Sequence, residues 1–158
     1  MLTRSSFLTA LATLFVLQLC ASAEDKPNDT AIEQLQGRWE IVAGVSQGRE
    51  MSEAEVDGTY VTITTNKITT YDRDERQRYR AIFRIDESKK PMHITMTAVE
   101  KNAPTNKLKL ADRITNAVSS GVLRFDGQGK WQLCYALPGF DRPEKFESPV
   151  GSKNMLFR

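Results

Sequence analysis

From Trp39 onward, apolar residues in this chain recur at every second position. Trp39, Ile41, Ala43 and Val45 alternate with Arg38, Glu40, Val42 and Gly44. A period of two sends successive side chains to opposite faces of a strand, and one such face is buried. The same pattern returns in Tyr79, Ala81, Phe83 and Ile85. Thr59–Thr64, Lys67–Tyr71 and Ile94–Val99 are short runs rich in β-branched residues. Thr65-Asn66 reads as a tight turn between two of them, and Pro91 introduces the third. Gly121–Phe125 and Lys130–Ala136 flank the glycine turn Asp126-Gly127-Gln128-Gly129, which is a hairpin signature. Pro138–Gly151 reads as a long loop with three prolines, and Asn154–Arg158 as a closing strand. Asn102–Asn106 reads as a loop, and residues 107–118 fit either a bulged strand or a short helix. About eight short strands with hairpin-like links and little helix predict an antiparallel barrel or sandwich.

The helical signals are brief. Thr30-Ala31-Ile32-Glu33 is a capping box that opens a short helix stopped by Gly37. Ser52-Glu53-Ala54-Glu55 has the form of a second cap over one helical turn.

Ahead of these elements stands an export signal. Arg4 supplies a positive start, Leu8–Leu19 is mostly apolar, and Ala21-Ser22-Ala23 has the small-x-small form of a cleavage site. The apolar run is short of the roughly 20 residues a membrane helix needs. Residues 1–23 are therefore read as a signal peptide, residues 24–34 as a lead-in with a short helix, and residues 35–158 as the domain. The protein is expected to be periplasmic or secreted. The alternative, lipid anchoring through Cys20, meets Leu19 where a small residue is expected. Asn28-Asp29-Thr30 also has the form of a glycosylation sequon.

Composition narrows the partners. The formal charge of +2 drops by one when Arg4 leaves with the signal, so neither nucleic acid nor an anionic membrane is called for. No second stretch is long enough to insert into a bilayer. Cys20 leaves as well, and Cys134 then stands alone, so stability is expected from packing rather than from a disulfide.

Three stretches together carry a resemblance. They are Leu35-Gln36-Gly37-Arg38-Trp39, then Asp86-Glu87-Ser88-Lys89-Lys90-Pro91, then Cys134-Tyr135 with Pro138-Gly139, Arg142-Pro143, Phe146 and Ser148. The chain resembles, over residues 35–158, a family of uncharacterised exported domains abundant in planctomycete bacteria and described as lipocalin-like. Residues 100–120 depart from that pattern. The resemblance implies an all-β, antiparallel up-and-down barrel of about eight strands after a short N-terminal helix. It implies no activity. Gly37-Arg38-Trp39 is also similar to the opening motif of true lipocalins, in which the tryptophan packs across one end of the barrel beneath an arginine. By that resemblance Trp39 is expected under Arg158 or Arg142. Gly37, Trp39, Cys134, Pro143, Phe146 and Arg158 are the structural motif residues it singles out.

The chemistry-bearing residues are few. His93 is the one histidine and cannot build a multi-histidine metal centre. Cys134 is a nucleophile only if the sheet sets His93 beside it, and a buried thiol suits a strand equally well. Asp72–Arg76 lacks the glycine and distal glutamate of a calcium loop and reads as a solvated hairpin tip. Arg142 beside Pro143 is the candidate ligand contact, a guanidinium held at a barrel mouth, with a structural role as its competitor. No metal, cofactor or catalytic motif is present, so an enzyme ranks third. The expected function is binding of a small apolar or amphipathic ligand inside the barrel. The alternative is a filled barrel that acts through its surface in the cell envelope. The alternating faces put Trp39, Phe83 and Trp131 on one side and Thr62, Thr64 and Thr95 on the other.

Overall fold

A computed structural model of the protein describes residues 30–99, 114–127 and 129–158. The signal segment, Cys20, the sequon asparagine and residues 100–113 lie outside the described residues. The elements run α1 (Ala31–Gln34), β1 (Gly37–Glu40), β2 (Gly44–Ser46), β3 (Arg49–Glu50), α2 (Glu53–Val56), β4 (Tyr60–Thr64), β5 (Lys67–Tyr71), β6 (Gln77–Asp86), β7 (Met92–Val99), β8 (Ile114–Gly127), β9 (Lys130–Ala136) and β10 (Asn154–Phe157). Among the described residues they form one antiparallel sheet in the order β1-β4-β5-β6-β7-β8-β9-β10-β2-β3. The all-β, barrel-like expectation holds. Of the two readings of residues 107–118, the strand is the one adopted from Ile114 onward.

The sheet curls because its two ends share one segment. The alternation over residues 38–45 predicts one strand, and instead the segment 37–46 divides. Gly37–Glu40 pair with β4, and Gly44–Ser46 pair with β10. Between them the Ile41 amide donates to Thr59, and the Val42 and Ala43 amides donate to the carbonyl of Arg158. Counted as one bent stave beside β4 to β10, this segment makes eight, the number expected, with β3 as a short flap.

The first capping box forms as read: the Glu33 amide donates to Thr30 Oγ1 and the Thr30 amide to the Glu33 carboxylate. At α2 the Ser52 amide and hydroxyl both donate to the Glu55 carboxylate, while the Glu55 amide donates to the Ser52 carbonyl. Side chains then pin α1 across one end of the barrel. The Ala31 amide donates to Glu87, in the β6–β7 turn. Gln36 donates to Thr65 O and accepts from the Thr65 amide, in the β4–β5 turn. Leu35 is buried in the core beneath. Gly37 turns the chain from α1 into β1 at φ +114°, a conformation that a side chain strains.

Two apolar layers result. The interior core holds Leu35, Val61, Ile63, Ile68, Ala81, Phe83, Ile94, Met96, Leu123 and Leu133. A second cluster of Val122, Cys134 and Leu156, with Val45 and Phe146 against it, lies on the outer face. The alternation of β9 explains the split, because Leu133 joins the first cluster and Cys134 the second. The loop 137–153 covers the outer cluster, so β8 to β10 are buried on both faces there.

Candidate functional site

Inside the barrel lies a cavity of about 1110 Å³. Its walls come from inward positions of the strands. Trp39 and Ile41 come from the bent stave, Val61 from β4, Ile68 and Thr70 from β5, Tyr79 from β6 and Met96 from β7. Trp131, Leu133 and Tyr135 come from β9, and Phe157 from β10. The charged groups stand at the edges. Arg38, Glu40, Glu55, Arg78, Asp126, Lys130 and Arg158 all line the cavity and are all exposed, while Asp72 is half-buried. Several of them are already engaged. Glu55 takes a two-pronged bond from Arg49, at 2.8 and 2.9 Å. Arg78 lies 3.7 Å from Asp72, and Arg124 lies 3.1 Å from Asp126.

Aromatic rings dominate the interior. Trp39 and Trp131 meet edge to face, and Tyr135 stacks on Phe157 with centroids 6.2 Å apart. Tyr79 from β6 and Tyr135 from β9 both line the cavity, close enough for one phenol to feel the other. Burial pushes the Tyr135 phenol up to about 12, with Tyr79 adding to the effect, and burial also raises Tyr79. Both phenols therefore stay protonated at neutral pH. Neither hydroxyl has a hydrogen-bond partner among the described residues, and both open onto the cavity.

Trp39 is half-buried against the core, and its indole N–H donates to Leu35 O at 2.7 Å. The expected arginine cover is a correction. Among the described residues the guanidinium–ring contacts are Arg38 on Tyr60 at 3.6 Å and Arg124 on Phe146 at 4.5 Å. The ring that meets Trp39 is Trp131. Arg158 joins the cavity edge, and its backbone closes the seam with Ala43.

Arg142 is drawn to the outer face. Its guanidinium donates to Ile94 O at 2.7 Å, to Gly121 O, and to Thr95 Oγ1 at 3.2 Å. It thus ties the long loop to β7 and β8, remote from the cavity lining. Burial pulls its pKa down and Asp86 opposes that shift. Pro143 is buried beside it, Phe146 lies under Arg124, and Ser148 accepts from the Gln47 amide and donates to Asn154 O.

Cys134 is fully buried under the loop, with its thiol 3.3 Å from the carbonyl of Glu147. Burial pushes the thiol up to about 11, so it is not a thiolate at neutral pH. His93 pairs with Val122, and Val122 with Cys134. The two side chains therefore stand two strand spacings apart, about 10 Å, which is too far for a nucleophile and its base. Among the described residues no group of three or more His, Cys, Asp and Glu is placed to hold a metal ion, and no helix is long and apolar enough to cross a membrane.

Sequence reasoning placed Trp39 and Trp131 on the cavity face but missed Thr70, Tyr79 and Tyr135. The period of two gave their face. Their convergence needs the registers of β5 to β9, which no local signal carries. Compared with protein-family models, curated proteins and solved structures, the chain matches none.

Proposed function

We propose that this is an exported, lipocalin-like binding protein that holds a small apolar or amphipathic molecule inside its barrel. The cavity carries the reading. About 1110 Å³ is slightly above the usual size of small-molecule sites, about 300–1,000 Å³, and its walls are aromatic and aliphatic with charge kept to the edges. Burying an apolar ligand there is favourable by about 25 cal/mol per Å² of surface removed from water. A filled barrel acting through its outer surface accords less well with that volume. The export signal in residues 1–23 supports a periplasmic or secreted setting. The test is native mass spectrometry of gently purified protein, followed by a panel of lipids and metabolites. A retained or acquired mass of a few hundred daltons is expected. Protein that neither carries nor takes up any member of the panel would overturn the proposal.

A further inference from the structure

We propose that the molecule in this cavity carries a neutral carbonyl oxygen in its buried part, held by the hydroxyls of Tyr79 and Tyr135. The inference rests on the ligand-binding reading above and narrows it to one chemical class.

The argument starts from the cost of polar groups in apolar surroundings. Tyr79 and Tyr135 both pack against the interior core and both line the cavity. Their hydroxyls have no partner among the described residues and are not enclosed by protein, so water meets them while the cavity is empty. A hydrocarbon filling the cavity would strip water from both phenols and replace it with nothing, at a cost for each. A ligand with an acceptor between the two rings removes that cost.

Charge then selects the acceptor. The charged lining residues are exposed at the edges, apart from half-buried Asp72, and among the described residues the interior walls bear no cation. A carboxylate at the tyrosines would lose its hydration without gaining a counter-ion. A ketone, aldehyde or ester oxygen accepts two hydrogen bonds with no such penalty. Thr70, paired in register with Tyr79, adds a third hydroxyl to the same wall. Along β9 the span from Trp131 to Tyr135 is about 13 Å at strand rise, room for an apolar chain of several carbons beside the carbonyl.

Three ten-carbon probes test this on the wild-type protein and on Tyr79→Phe and Tyr135→Phe: decan-2-one, decane and decanoate. Binding is read from the fluorescence of Trp39 and Trp131 in the cavity wall. The ketone is expected to bind about tenfold more tightly than decane and more tightly than decanoate. Each Tyr→Phe variant is expected to lose several-fold in ketone affinity while holding decane as well or better, which separates loss of a hydroxyl from loss of the fold. Equal affinity for ketone and decane overturns the inference and leaves the ligand-binding reading standing. So does a preference for decanoate that the Tyr→Phe variants leave unchanged, or a parallel loss of ketone and decane in both variants. If no probe binds, the ligand-binding reading falls and this inference falls with it.

Discussion

Trp39 and Trp131 meet edge to face, with ring centroids 6.0 Å apart and planes at 86°. The contact joins the stave that closes the barrel to the start of β9. It combines burial with a quadrupole preference for this geometry. Because Trp39 is half-buried rather than enclosed, Trp39→Ala is expected to cost about 2–4 kcal/mol, somewhat less than the roughly 3–5 kcal/mol of fully buried large aromatics. Trp39→Phe keeps a ring against Trp131 and loses the bond to Leu35 O, so about 1 kcal/mol is expected. Urea denaturation of the three proteins checks both values. A Trp39→Ala midpoint equal to wild type would contradict the packing described.

Arg142 holds the long loop by bonds to two strands. Removing it leaves the carbonyls of Ile94 and Gly121 without that donor and frees the loop end. Arg142→Ala is expected to cost about 1.5–3 kcal/mol, the usual range for charged hydrogen bonds. Arg142→Lys is expected to recover only part, since an ammonium lacks the planar fork that spans several acceptors. Limited proteolysis should then cut within Pro138–Gly151 of the alanine variant well before it cuts wild type.

The buried thiol makes a prediction with a definite sign. Folding raises the Cys134 pKa from 9.0 to about 11. Between those values the unfolded chain has lost the proton and the folded chain has kept it. Stability from this group is therefore full below pH 9 and falls as pH rises toward 11. Native protein should resist a thiol reagent at pH 8 and react at once in denaturant. Cys134 is a free thiol among the described residues, so reducing agent should leave the Tm unchanged.

The Arg49–Glu55 pair tests electrostatics at the cavity edge. The hydrogen bond from Arg49, with Ser52 helping, lowers Glu55 from 4.5 to about 2. A depressed carboxylate adds stability above its unfolded pKa and loses it as pH falls through the folded value. Both groups are open to solvent, so the gain is small. Arg49→Ala should return the Glu55 carboxylate toward its ordinary value, as followed by NMR titration, with little change in Tm at pH 7.

Much of the barrel was legible in the chain. The period of two put Trp39, Phe83 and Trp131 against one core, and Thr30 and Ser52 announced both helices. What escaped was whatever depends on strands far apart in sequence. Nothing local in residues 37–46 tells that the first half pairs with β4 and the second with β10. Arg142 looked like a ligand contact because its acceptors, two backbone carbonyls and the Thr95 hydroxyl, lie on strands distant in sequence and leave no local signature. Tyr79 and Tyr135 converge only after four strands have been set in register.

The divided stave also bears on how the chain reaches its native state. Contacts from β4 on to β9 join neighbours in sequence, and β1 reaches β4 across only β2, β3 and α2; such short-range contacts form fast. The Val42 and Ala43 amides meet Arg158 only when opposite ends of the domain come together. That step pays the largest loop-closure entropy in the molecule and gains few hydrogen bonds at first. Zipping of the seam between β2 and β10 is then the late event in folding and the early one in unfolding. Hydrogen exchange should find the amides of β2 opening at lower free energy than those of β6 and β7.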